Sequence, residues 1–274
     1  MTWSELTVVR DGVRLSCRDW GAPGGSGGSD GSGPDVVLLH GLAGHVGEWD
    51  VIAAELSARH RVVAVDQRGH GASERRPADV SRAAYVADVV AVRERLGLRN
   101  PVLVGQSMGG HTAMLAASAH PELFRALVLV EAGPGGSTPE SQERIGGWFD
   151  SWPRPFPSRE AAVEFLGGGP VGEGWAAGLE ERDGGWWPRF DNDVMVESLT
   201  ENAQRSFWDE WEAVACPTLA VLGQTGFLPP AEVDEMLGRR PGTRALSVPG
   251  TGHDVHLERP DVLGRVLREF LGDV

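Results

Sequence analysis

Cysteine is nearly absent: Cys17 and Cys216 are the only two in 274 residues. They stand far apart and without metal-ligand spacing, which rules out a disulfide-stapled scaffold. One bridge between them stays open, and two core thiols in a reducing cytoplasm are expected. Basic residues are outnumbered, 25 Lys and Arg against 39 Asp and Glu, for a formal net charge of -14. No extended surface is therefore expected to neutralise a phosphate backbone, and nucleic acid is not an expected partner. No apolar run approaches the roughly 20 residues that cross a bilayer, so no membrane partner is expected. The opening MTWSELTVVRDG also lacks the basic segment and apolar stretch of a secretion signal. With no HExxH, cysteine cluster, EF-hand loop or GxxxxGK[ST] cradle, neither a metal nor an organic cofactor is expected.

What is present is enough apolar residue for one sizeable core, 41% of the chain. The 38 glycines and 18 prolines carry no three-residue period, so they mark turns in a globular fold. Residues 6–9 and 13–20 read as a hairpin about Asp11-Gly12, with Leu15 and Cys17 on one face. The stretch GAPGGSGGSDGSGP at 21–34 has little to bury and reads as a surface loop.

Short continuous apolar runs at 36–39, 62–65, 102–104, 127–130 and 218–222 fit parallel strands covered on both faces, with a further strand at 245–248. Helices fit at 51–57, 82–96, 109–119, 231–237 and 262–271. In the second of these, Ala83, Val86, Ala87, Val90 and Leu96 form the apolar stripe and Gly97 the stop. From 134 to 212 the strand rhythm gives way to amphipathic stretches broken by Pro and Gly, with seven tryptophans. This reads as an inserted, mainly helical cap on a base formed by 1–133 and 213–274.

The chemistry concentrates in Gly105-Gln106-Ser107-Met108-Gly109, directly after the run 102–104 and before an alanine-rich helix. A side chain at the centre projects from a sharp strand-to-helix turn, and the two glycines remove Cβ atoms that would strike neighbouring backbone. Ser107 is the candidate nucleophile, its plainer reading being a helix N-cap. A serine hydroxyl needs a base. His253, in the loop after the last strand, is the candidate, the plainer alternative being an imidazole that only closes its loop. His256 fits packing, and His40 fits the ordering of the HGLAG loop that it opens. The backbone N–H groups of Leu42 and Met108 are the candidate oxyanion donors, and their side chains either line an acyl pocket or pack in the core.

The ordered set His40-Gly41-Leu42-Ala43-Gly44, Asp66-Gln67-Arg68-Gly69-His70-Gly71-Ala72-Ser73, the turn at Ser107 and Gly252-His253 resembles the α/β-hydrolase family over nearly the whole chain. The resemblance implies an α/β core of eight mostly parallel strands whose first pairing is antiparallel, with a cap inserted after the sixth strand. It implies Ser107 as nucleophile, His253 as base, and Leu42 and Met108 as the oxyanion hole. It also implies structural polar contacts for Asp66 and Arg68, and a place for Ser73 near the mouth of the site. Many members carry the third, acidic residue after the strand at 218–222, at or near Gly226, yet no Asp or Glu occurs from 213 to 231. An alternative position used in parts of the family falls on Glu131, whose carboxylate would orient and stabilise protonated His253. Asp254, Glu232 and Asp234 are lesser alternatives, and a Glu131 that is only a solvated strand-end carboxylate would leave a Ser-His dyad.

The expected reaction is hydrolysis of a carboxyl ester or lactone through an acyl-enzyme, with amide or carbon-carbon cleavage and a binding-only protein of the same fold as alternatives. Epoxide or haloalkane chemistry, which needs a carboxylate nucleophile, does not fit a serine at this turn. Trp148, Trp152, Trp186, Trp187, Trp208 and Trp211 are candidate walls for an apolar or aromatic small-molecule substrate, packing of the cap being the alternative. Asp191 and Asp193 fit surface positions, and both a monomer and a homodimer are compatible with the sequence.

Overall fold

The computed structural model describes residues 3–21 and 33–274. Most of the 21–34 stretch expected as a surface loop lies outside the described residues. The chain opens with the hairpin of β1 (Ser4–Arg10) and β2 (Val13–Asp19), followed by β3 (Val36–Leu39), a 3-10 turn (Val46–Trp49) and α1 (Asp50–Leu56). Next come β4 (Val62–Val65), α2 (Arg82–Arg95), β5 (Val102–Gln106), α3 (Met108–Ala119) and β6 (Ala126–Val130). Between β6 and the next core strand lie α4 (Pro139–Asp150), α5 (Arg159–Phe165), α6 (Gly169–Ala176), β7 (Glu180–Arg182), β8 (Gly185–Trp187), α7 (Asn192–Ser198), α8 (Thr200–Gln204) and α9 (Trp208–Ala213). The chain closes with β9 (Thr218–Gly223), α10 (Pro230–Arg239), β10 (Arg244–Val248), α11 (Val255–Glu258) and α12 (Pro260–Asp273).

Among the described residues, eight strands form one sheet in the order β1-β2-β4-β3-β5-β6-β9-β10. β2 is antiparallel to both neighbours, and every pairing from β4 to β10 is parallel. The period-2 alternation divides the central strands between two cores. Val37, Leu39, Val63, Leu103 and Leu127 face α2, α3 and α9. Val36, Leu38, Val62, Val104 and Val128 face α1 and α12. Both faces are covered, which is why these strands read as unbroken apolar runs.

The buried face of α2 matches the expected stripe only in part, Val86 being buried and Val90 and Leu96 packing partly buried against the core. Ala83 is exposed and Ala87 and Val90 are half-buried, whereas Ala84, Tyr85, Asp88, Val89 and Val92 are buried. The cause is electrostatic. Arg68 Nε and Nη2 donate to the two oxygens of Asp88 at 2.6 and 2.7 Å, and Arg10 Nε donates to the same carboxylate at 2.8 Å. A carboxylate so paired goes inward with its helix face. Gly97 ends the segment at φ 65° as expected. Asp66, the other implied structural residue, accepts from the Val46 and Ala72 amides, both at 2.8 Å.

The segment between β6 and β9 is mainly helical and also holds the β7–β8 hairpin, which composition did not disclose. Its signal is Asp183-Gly184, both at positive φ, the pair favoured in a two-residue hairpin turn. Phe149, Trp152, Phe156, Phe190 and Met195 pack into one cluster with Tyr85 of α2 and Met108 of α3. Arg75 and Arg76 bind Asp191, and Arg76 also binds Asp193.

Arg68 is 1% exposed, so Asp88→Ala strands a buried guanidinium. The expected loss is about 3–5 kcal/mol, read as a lower urea midpoint, and an unchanged midpoint would contradict this account of the α2 face.

Candidate active site

The sharpest backbone feature of the base is the turn from β5 to α3. Ser107 has φ 51° and ψ -119°, a conformation costly for a residue with a Cβ. Its surroundings enforce it. A Cβ on Gly105 would stand 2.3 Å from the Gly109 carbonyl oxygen, and one on Gly109 would stand 2.4 Å from the His40 carbonyl oxygen. The helix therefore starts in contact with the ends of both β5 and β3, and Ser107 remains half-exposed at the crest. Its amide donates to Val130 O at 3.0 Å, and its carbonyl accepts from His111 N at 2.9 Å.

The loop after β3 lies against this crest. A Cβ on Gly41 would sit 3.3 Å from Ser107 Cβ and closer still to the Gln106 side chain. Leu42 occupies the turn closed by Gly44 N to Gly41 O at 3.2 Å. His40 orders the loop: its Nε2 accepts from Gln67 N at 3.0 Å, so Nδ1 carries the proton and donates to Gly41 O at 2.7 Å. Met108 is the first residue of α3, where a backbone N–H has no acceptor within the helix and the helix dipole is positive.

Opposite stands His253. Glu131 follows β6 at φ 49°, its amide held by Val221 O at 2.9 Å. Its carboxylate turns inward, accepting from Gly223 N at 2.6 Å and Phe227 N at 2.8 Å, and its Oε2 faces His253 Nδ1 at 3.5 Å. That last contact is longer than a well-formed hydrogen bond. The His253 ring stacks on Phe227 at 4.3 Å between centroids, and its carbonyl accepts from Gln106 Nε2 at 3.2 Å. A Cβ on Gly226 would overlap the Glu131 carboxylate, 2.1 Å from Oε2. The carboxylate thus fills the space that a side chain at 226 would claim.

Ser107, His253, Glu131, Leu42 and Met108 all border one cavity of about 530 Å³. Of the six candidate tryptophans only Trp148 does; Trp175, on α6, borders it too and was not selected from the sequence. The other five are corrected by where they pack. Trp152 is buried among Trp148, Phe156, Trp175 and Phe190. Trp186 and Trp187 sit on β8, away from the cavity, Trp187 donating to Arg182 O. Trp208 and Trp211 lie on α9 against the core of the base, Trp211 donating to Met236 O at 3.0 Å. Ser73 is also displaced from the expected mouth: it is buried and accepts from Ser16 N at 2.8 Å, tying its turn to β2.

His256 is buried and faces Glu48 Oε2 at 3.2 Å. Asp254 borders the cavity, while Glu232 accepts from Gly135 N at 2.9 Å. Cys17 and Cys216 are unpaired; Cys17 is buried, which pushes its thiol up to about 12, and Cys216 is only half-buried. Among the described residues no three His, Cys, Asp or Glu side chains are grouped to hold a metal ion, and no helix is long and apolar enough to cross a membrane.

With this sheet and this turn in place, the chain belongs to the alpha/beta hydrolase fold family, whose sequence profile matches residues 34–260, and it is a hydrolase. Its relatives include an sn-1-specific diacylglycerol lipase of Mus musculus, 31% identical over 256 residues that cover 87% of this chain and 81% of the lipase. An esterase of Escherichia coli (strain K12) is 26% identical over 253 residues, 87% of this chain and 93% of the esterase. In fold, the chain is similar to the crystal structure of E-2-(acetamidomethylene)succinate hydrolase, with a TM-score of 0.86, 22% identity, and coverage of 98% of this chain and 99% of that one.

Burial lowers His40 and His70 to about 3 and His256 to about 4, and holds His111 well below its ordinary value. Below pH 6.5 the unfolded chain therefore takes up these protons before the folded chain does, and stability present above that pH is lost as it falls toward 4. Glu48, raised by burial to about 8, works in the opposite sense with one proton. The expected result is a lower urea midpoint at pH 5.0 than at pH 7.5; an equal or higher one contradicts neutral burial of these imidazoles.

Proposed function

We propose that this hydrolase cleaves a carboxyl ester or lactone through an acyl-enzyme on Ser107. The observation that carries the reading is the meeting at one cavity of a serine on a strained strand-to-helix turn and a histidine whose Nδ1 faces a buried carboxylate. With Nδ1–H turned to Glu131, the free Nε2 of His253 takes the Ser107 proton as Oγ attacks the acyl carbon. The carbonyl oxygen becomes an oxyanion, stabilised by the Leu42 and Met108 amides, each donor of this kind contributing roughly 10²–10³ in rate. Collapse breaks the bond to the leaving oxygen, which takes the proton from His253. Water deprotonated by the same imidazole then attacks the acyl-enzyme and frees the acid and Ser107.

Residues 134–212 act as the cap and 1–133 with 213–274 as the base, the segment from Phe207 onward packing back on the base. Leu42, Met108, Ile145, Trp148, Phe149 and Leu166 border the cavity and supply apolar walls for a small-molecule substrate. Residence in the cytoplasm goes with the two unpaired thiols.

The reading is tested with a panel of esters and lactones. Ser107→Ala should lower turnover by at least roughly 10³-fold with an unchanged circular dichroism spectrum. Native-level turnover in that variant would overturn the reading, and native protein that binds panel members without cleaving any would favour the binding-only alternative.

Glu131→Gln should slow the pre-steady-state acylation burst by about 10²- to 10⁴-fold while the fold is kept; an unchanged burst rejects Glu131 as the orienting acid. Because a side chain at 226 would occupy the same space, Glu131→Gly combined with Gly226→Asp should recover at least tenfold over Glu131→Gly alone. No recovery would contradict the spatial equivalence of the two positions.

A further inference from the structure

One wall of the cavity carries polar groups that the acyl-transfer chemistry does not use. His111, one turn along α3 from Ser107, and Asn202, on α8, both border the cavity. Asn202 Nδ2 and His111 Nε2 lie 3.3 Å apart, and the remaining polar atoms, Asn202 Oδ1 and His111 Nδ1, are buried without a partner. Unfilled buried groups of this kind are costly unless a ligand meets them. Turned by 180°, the same amide accepts from His111 Nε2–H and leaves its NH₂ as the group without a partner.

Glu201, the neighbour of Asn202, does not border the cavity and accepts from Arg82 N at 2.9 Å. Arg144, on α4, is the only Lys or Arg among the described residues bordering the cavity. It bonds the Ser141 hydroxyl at 3.1 Å and pairs with no carboxylate among the described residues. α4 and α8 are joined here by Gln142 Nε2 to Thr200 Oγ1 at 3.2 Å. Behind His111 lies Arg82, 3% exposed, whose guanidinium lies over the Tyr85 ring at 4.2 Å and whose Nη1 reaches Thr112 Oγ1 at 3.4 Å. Arg82 and Arg205, after burial itself, hold the His111 imidazole neutral. The carboxylates that border the cavity, Glu48, Glu131 and Asp254, come from the loops after β3, β6 and β10 instead.

We propose that Arg144 and Asn202 form a carboxylate subsite, so that the substrate is an ester or lactone carrying a second, ionised carboxylate. This rests on the acyl-transfer reading for the scissile bond but not for the binding itself. Arg144 supplies a planar pair of N–H donors matched to a carboxylate, Asn202 supplies one more, and the apolar walls hold the chain between the two ends. The net charge of -14 does not prevent this, because the local groups dominate at contact distance and salt screens the rest.

The test uses monomethyl adipate, one charge and one ester, against dimethyl adipate, which has the same chain and no charge. Calorimetry on Ser107→Ala measures binding without turnover, and kcat/KM on the native protein measures selection. The expected result is at least tenfold tighter binding and at least tenfold higher kcat/KM for the monoester at low salt. Adding Arg144→Gln should bring the two ligands within twofold, and Asn202→Leu should reduce the preference in the same direction. Equal binding of the two ligands by Ser107→Ala, or a preference that survives both substitutions, would overturn the subsite. If Ser107→Ala prefers the monoester while native protein cleaves neither ester, the subsite stands and the hydrolytic reading fails.

Discussion

The left-handed backbone at the ends of two adjacent parallel strands is the constraint on which the site depends. Ser107 follows β5 at φ 51° and Glu131 follows β6 at φ 49°, and neither residue is a glycine. Such conformations cost on the order of 1–3 kcal/mol each and persist where the surroundings over-determine them. At Ser107 the first turn of α3 is pressed against the ends of β3 and β5, with no room for a Cβ at Gly105 or Gly109. At both residues the amide is also held by the neighbouring strand, Ser107 N by Val130 O and Glu131 N by Val221 O. The sheet, not a local loop preference, sets where these two side chains go.

The register of the sheet then explains how a carboxylate from β6 can face a histidine presented after β10. β5, β6 and β9 are consecutive and parallel, so their C-terminal ends line one edge. From the end of β6 the Glu131 side chain crosses beneath the loop that follows β9 and binds the amides of Gly223, the last residue of β9, and of Phe227 in the loop. Gly226 leaves that space open. The loop carries no acid of its own, and it is held in shape by the carboxylate that fills the gap. Phe227 in turn lies flat against His253, so one carboxylate fixes both the ring's neighbour and the direction that Nδ1 faces.

Much of the base was legible because its physics is local and repetitive. Both-face burial produces continuous apolar runs, and β3, β4, β5, β6 and β9 fall where those runs occur. The turn at Ser107 and the loop at His40 were legible because close backbone approach demands glycine at fixed offsets. Less was legible where orientation depends on partners distant in sequence. The α2 face is set by Asp88 meeting Arg68 and Arg10, which no periodicity encodes. The tryptophans show the same limit: Trp211 and Trp152 fill cores while Trp148 and Trp175 reach the cavity. The direction in which a large apolar side chain points follows from the packing of the segment between β6 and β9, not from its composition.

The most direct measurement of the central claim is covalent labelling of the native protein by a p-nitrophenyl alkylphosphonate, followed by peptide mass spectrometry. The account predicts release of one p-nitrophenolate per chain and a phosphonyl adduct confined to Ser107. An adduct on another residue, or equal labelling when Ser107 is replaced by alanine, would contradict it.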